Sequence, residues 1–307
     1  MLGKVRLILE MIRFSHTLFA LPFALLAAML AWCVPNVLGE RASFSWLHLM
    51  GILVCMVGAR SGGMAFNRLV DRRIDAENPR TENRHLPSGQ LSVTSVFVFT
   101  LASVVLFFVG TLFFWPNPLP LILGTPVLVI VFAYSYTKRF TSLAHYWLGM
   151  ALSLAPVATW LALRGSMVLE DPLDLLPAFL LGLAVLFWVA GFDIIYACQD
   201  YEFDVSAKLK SVPARLGIKN ALRLAAFSHL VMLLLLVALP LSGRMGGPDL
   251  PLGWIYYVGL LPILAMLVYE HLLVSHDDLT RINVAFFQMN VWISVGLLAL
   301  VAVDLAL

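Results

Sequence analysis

Asn67, Asp71 and Asp75 recur at intervals of four residues, and Asp200 and Asp204 repeat that interval about 130 residues later. On a helix a step of four advances about 40° around the axis, so the first three share one face within about 80° and the second pair does likewise. Asp193, seven residues before Asp200, falls only about 20° from it, but it lies inside its span and reads equally as a satisfied hydrogen-bonder to a neighbouring helix. Each helix then presents a column of oxygen ligands. Oxygen donors without His or Cys suit hard cations, and Mg²⁺ takes one or two carboxylates and fills its shell with water and phosphate oxygens. Two such columns facing each other would hold two Mg²⁺ ions and leave positions for a diphosphate. A solvated helix end, its acids paired with Arg68 and Arg72 at helical spacing, would explain one cluster. It does not explain the same spacing twice.

Basic residues follow each cluster. Arg80 and Arg84 come after the first; Lys208, Lys210 and Arg215 come after the second; Lys138 and Arg139 stand beside Tyr134 and Tyr136. Guanidinium groups clamp phosphate bidentately, whereas lysine acts as a point charge. Arg80, Arg84 and Lys138 are the diphosphate candidates. The lysines at 208, 210 and 219 read as anchors to a lipid headgroup surface.

These side chains must be carried by a membrane protein. Apolar residues make up 61% of the 307 and charged ones 12%, with a mean hydropathy of +0.91, far from the roughly 25% charge of soluble domains. Apolar runs of about 20 residues, the length that crosses a bilayer, recur throughout. They place nine spans at roughly 14–34, 46–66, 93–114, 118–135, 142–162, 173–198, 219–241, 252–274 and 284–306, tiling residues 1–307 as a single transmembrane domain. With the N-terminus inside, 17 of the 20 Lys and Arg fall on inward segments, and only Arg41, Arg164 and Arg244 fall outside. That bias orients the chain with a cytoplasmic N-terminus and both acidic clusters on the cytoplasmic side. Basic residues precede the run from Phe14 to Trp32, but no small-residue cleavage site follows it, so it reads as a retained first helix. Cys33, Cys55 and Cys198 have no ligand spacing and read as buried thiols. No nucleic-acid motif accompanies the basic rim.

Four blocks then resemble one family. Asn67 to Thr81 with Arg84-His-Leu-Pro87-Ser-Gly89 resembles the first signature of the UbiA superfamily of intramembrane aromatic prenyltransferases. Tyr196-Ala-Cys-Gln-Asp200-Tyr-Glu-Phe-Asp204 with Ser211-Val-Pro213-Ala-Arg-Leu-Gly217 resembles the second. His16-Thr-Leu-Phe-Ala-Leu-Pro22-Phe and Tyr134-Ser-Tyr-Thr-Lys138-Arg139-Phe-Thr141 add two more. Many members carry Asp after the first Asn. Here Arg68 stands there, a form shared with the 4-hydroxybenzoate polyprenyltransferase branch, and an i+1 side chain points about 100° from Asn67.

The resemblance implies an all-α membrane fold of nine helices around a central cavity, with an isoprenyl diphosphate donor and an aromatic or lipid acceptor. Asn67, Asp71, Asp75, Asp200 and Asp204 are then expected to bind two Mg²⁺ bridging the diphosphate, and Arg80, Arg84 and Lys138 to stabilise the leaving group. Ionisation leaves an allylic cation that an apolar cavity protects from water and aromatic faces can stabilise. The acceptor ring attacks it, with Asp193 or Asp200 as proton acceptor and Arg139 as the residue holding an acceptor carboxylate. The expected activity is polyprenyl transfer to 4-hydroxybenzoate or a related carboxylated quinone precursor in ubiquinone or menaquinone biosynthesis, in a bacterial-type inner membrane. A 1,4-dihydroxy-6-naphthoate acceptor fits the same residues. An ion-coupled transporter is the reading from another class, disfavoured because transport sites lie toward the midplane and these acids gather at one membrane face.

Overall fold

The computed structural model describes residues 2–12 and 20–307. Twelve α-helices, and no strand, occur among the described residues: α1 (Leu2–Met11), α2 (Leu21–Cys33), α3 (Trp46–Glu77), α4 (Val93–Thr111), α5 (Leu119–Thr137), α6 (Ala144–Glu170), α7 (Leu176–Ala197), α8 (Tyr201–Ser206), α9 (Val212–Leu216), α10 (Ile218–Ala238), α11 (Trp254–Leu272) and α12 (Asn290–Ala306). Eight helical stretches among them are long and apolar enough to cross a membrane, matching the last eight expected spans. The chain is an all-helical, multi-pass membrane protein. The expected first span, 14–34, appears as the 13-residue α2; its start, with Arg13 and the His16–Phe19 part of the block that begins at His16, lies outside the described residues.

The bilayer accounts for the surface. On α4, Phe97, Val98, Leu101 and Val105 are all more than half exposed, a stripe that water would penalise and lipid does not. Because lipid is as apolar as the side chains, helices associate here by close backbone approach.

The chain divides into two compact units, one holding α1 and α3–α5, the other α2 and α6–α12. In the first, Gly58 of α3 lies so near the Phe107 backbone of α4 that a Cβ would sit 2.7 Å from its nitrogen. The Cys55 thiol donates to the Phe107 carbonyl at 3.5 Å; it is half-buried, and Cys33, expected to be buried, is exposed at the end of α2. Met11 and Ile12, at the end of α1, pack on Ala65, Leu69, Leu91 and Val96.

In the second unit, α6 and α7 meet where a Cβ on Gly149 would collide with the Leu186 carbonyl. Arg164 interrupts α6 with non-helical torsions (φ −124°, ψ 25°). Its buried guanidinium bonds both oxygens of the equally buried Asp174 and donates to the carbonyls of Ala31 (3.1 Å) and Val34 (2.6 Å) at the end of α2. Trp160 stacks on Arg164 and donates to Asp174 at 3.0 Å. This polar pin ties α2, α6 and the turn Pro172–Leu175 leading into α7 together.

Candidate active site

The first acidic segment sits on the last three turns of α3, which continues without a break from the membrane span to Glu77. Asn67 donates to the Asp71 carboxylate at 2.8 Å, as a four-residue step requires. Asp75 is buried. Its Oδ1 accepts from Arg84 Nη1 at 2.7 Å, and Arg68 Nη1 stands 3.9 Å from its Oδ2.

Arg68 therefore corrects an expectation. It does lie about 100° from Asn67, but the acidic column itself drifts by about 80°, so an i+7 step brings Arg68 within about 20° of Asp75. The loop after α3 folds back on the same carboxylate. Asn78 accepts from the Arg80 amide, Thr81 donates to the Asp75 carbonyl at 2.9 Å, and Arg84 closes the turn. Arg80 is exposed and Arg84 half-buried.

The second segment is built differently from the continuous helix expected. The α7 helix stops at Ala197, a tight turn covers Cys198–Asp200, and α8 restarts at Tyr201 with Asp200 (φ −98°, ψ 9°) at its head. Asp193 and Asp200 are thus not two points on one straight helical face. Asp200 and Asp204 are both buried. Lys138 Nζ is 3.7 Å from Asp204 Oδ2, its side chain about one-third exposed. Arg139 is exposed.

Asp193 instead joins a partner that sequence spacing did not reveal: His145 Nδ1 lies 2.6 Å from its Oδ2. His145 was invisible at that level because it stands alone near the start of an apolar span, 48 residues away. Two sequence blocks do converge as loops within this unit. Lys210 donates its amide to the Lys138 carbonyl (2.7 Å) and its Nζ to the Phe140 carbonyl (3.3 Å), and Arg215 reaches Ser142. Lys210 is thus a loop fastener as well as a basic rim residue.

Do these residues suit Mg²⁺? Two buried carboxylate oxygens, Asp75 Oδ2 and Asp204 Oδ2, have no hydrogen-bond partner. Such oxygens are costly unless something charged completes them. Each belongs to the last acid of its segment, and each has a cation nearby but beyond hydrogen-bond distance. The donors are all oxygen, as a hard cation prefers. Among the described residues no group of three or more His, Cys, Asp or Glu converges as a ligand set. A cation held at either segment would take its remaining ligands from amide oxygen, water or a bound phosphate. The residues fit Mg²⁺.

Comparison with known proteins shows the family. The model of the UbiA prenyltransferase family matches residues 20–293. The chain is 30% identical over 247 residues to the 4-hydroxybenzoate octaprenyltransferase of Aliivibrio fischeri (strain MJ11), covering 80% of this chain and 79% of that protein. The apo structure of a UbiA homolog from Aeropyrum pernix K1 has a TM-score of 0.80 at 29% identity, covering 94% of this chain and 98% of its own. A UbiA homolog from Archaeoglobus fulgidus bound to DMAPP and Mg²⁺ has a TM-score of 0.65 at 20% identity, over 98% and 99% of the two chains, and shares the fold. With its acidic segments in place and the family match running along nearly the whole described length, the chain belongs to the UbiA prenyltransferase family.

Proposed function

We propose that this protein transfers a polyprenyl group from a polyprenyl diphosphate to 4-hydroxybenzoate, in the membrane, with Mg²⁺. The observation that carries this reading is the pair of buried, unpartnered carboxylate oxygens on Asp75 and Asp204, in a chain about 30% identical to a 4-hydroxybenzoate octaprenyltransferase. Asn67, Asp71 and Asp75 form one ligand group and Asp200 and Asp204 the other, for two Mg²⁺ ions. Mg²⁺, when bound by these residues, would offset charge on the diphosphate and so make it a better leaving group.

The remaining work falls to the chain's own residues. Arg80, Arg84 and Lys138 offset the negative charge that accumulates as the allylic C–O bond breaks and the diphosphate leaves with the electron pair. Arg84 already spends one N–H on Asp75, so its planar fork is oriented beside the first segment. The acceptor ring forms the new C–C bond ortho to its hydroxyl and loses a proton to Asp193, whose carboxylate keeps 13% of its surface exposed. Asp200 is the second candidate for that role. Arg139, exposed on the turn after Lys138, holds the acceptor carboxylate.

The N-terminus and both acidic segments lie on the cytoplasmic side of a bacterial-type inner membrane, a reading supported by the 17 of 20 basic residues on inward segments. Purified protein with Mg²⁺ and a polyprenyl diphosphate, offered 4-hydroxybenzoate and 1,4-dihydroxy-6-naphthoate in competition, tests the assignment. A prenylated benzoate as main product is expected. A prenylated naphthoate alone would replace the acceptor, and diphosphate release with neither ring would remove it.

A further inference from the structure

The imidazole of His145 is fully buried and bonded at both ends. Its Nε2 receives the backbone N–H of Val212 at 3.3 Å, and its Nδ1 lies 2.6 Å from Asp193 Oδ2. A backbone N–H can only donate, so Nε2 must offer its lone pair. The ring proton is therefore on Nδ1 and is donated to Asp193. One tautomer satisfies both contacts, and it is the one that fixes the carboxylate plane.

Val212 opens α9, eight residues after Asp204, and Ser211 beside it caps that helix by accepting from the Ala214 amide. The segment leaving Asp204 is thus held at two points along the turn from Lys138 to His145: at the Lys138 carbonyl by the Lys210 amide, and at His145 by the Val212 amide.

We propose that His145 is a positioning residue for the prenyl-transfer reaction: a single imidazole orients the Asp193 carboxylate and anchors the chain that follows the second acidic segment. The assignment rests on Asp193 acting as the proton acceptor. It predicts which side chains can substitute. The position needs an acceptor for an amide at one end and a donor to a carboxylate at the other. Glutamine supplies both and leucine neither.

The test compares His145→Leu, His145→Gln, Asp193→Asn and the double variant His145→Leu/Asp193→Asn, reading kcat, donor KM, thermal unfolding and hydrogen exchange of residues 204–217. His145→Leu is expected to lower kcat about 10–100-fold, the usual scale for a group that orients a reacting one, with donor KM changed less than about threefold. Exchange across 204–217 should quicken. His145→Gln should recover most of both losses. The double variant should be no slower than Asp193→Asn alone, because the histidine has nothing left to orient.

Leucine and glutamine variants that fall equally would overturn the proposal, as would additive losses in the double variant or unchanged exchange in His145→Leu. If Asp193→Asn keeps wild-type kcat while His145→Leu quickens exchange, the base assignment fails and the anchoring half stands. Should His145→Leu not fold, His145→Ala, which likewise has neither hydrogen-bonding function, takes its place against His145→Gln.

Discussion

Replacing Arg164 with methionine removes one half of a buried ion pair and leaves the other half stranded. The guanidinium and the Asp174 carboxylate expose 0% and 2% of their side-chain surfaces. Four hydrogen bonds leave with Arg164, two to Asp174 and two to the carbonyls of Ala31 and Val34, and among the described residues the Asp174 carboxylate keeps the Trp160 indole N–H alone. Breaking such a pair from one side costs about 3–5 kcal/mol. The freed carbonyls belong to the buried residues Ala31 and Val34, so they add at least about 1 kcal/mol together. A loss of about 4–6 kcal/mol lowers the unfolding temperature by on the order of 10 °C, at about 2–4 °C per kcal/mol. Thermal unfolding in detergent or nanodiscs, followed by tryptophan fluorescence, reads this directly. The double variant Arg164→Met/Asp174→Leu should regain most of the loss, since apolar residues can replace a buried pair that half a pair cannot. Turnover below the melting range should stay within about threefold of wild type, because Arg164 stands 19 residues, about 28 Å along α6, from His145. A single variant that melts within about 2 °C of wild type would refute the pin, and so would a double variant no better than the single one.

Asp204→Asn should abolish turnover by more than about 100-fold while changing stability by less than about 1 kcal/mol: the charge removed is buried with an unpartnered oxygen and only a one-third-exposed lysine 3.7 Å away. Unfolding and assay of the same preparation check both halves. Chelation with EDTA should stop the reaction and added Mg²⁺ restore it, followed by diphosphate release. Gly149→Val forces a side chain into the Leu186 carbonyl of α7 and should destabilise by about 1–3 kcal/mol or more, measured as a drop in unfolding temperature.

The parts of this molecule governed by the bilayer were legible from the chain alone. Expected spans such as 93–114 and 252–274 end within two residues of the helices Val93–Phe114 and Trp254–Leu272, because hydrocarbon thickness sets apolar run length. The acidic column of α3 was equally readable, since Asn67 to Asp71 is a local helical step. Three things were not. The break at Cys198–Asp200 carries no Gly or Pro and was read as continuous helix. The Arg68–Asp75 approach follows from the drift of the column, which a single i+1 angle hides. His145 meets Asp193 across 48 residues, and no periodicity within either helix encodes which side chain of a neighbour it will face.

Both acidic segments are proposed to serve one magnesium-dependent prenyl transfer. The most direct measurement is product formation from a polyprenyl diphosphate and 4-hydroxybenzoate across a Mg²⁺ titration, for wild type, Asp71→Ala and Asp200→Ala, each verified as folded. Prenylated benzoate that requires Mg²⁺ in the wild type and is lost in both variants is the expected result. Turnover that survives either substitution at saturating donor would contradict it.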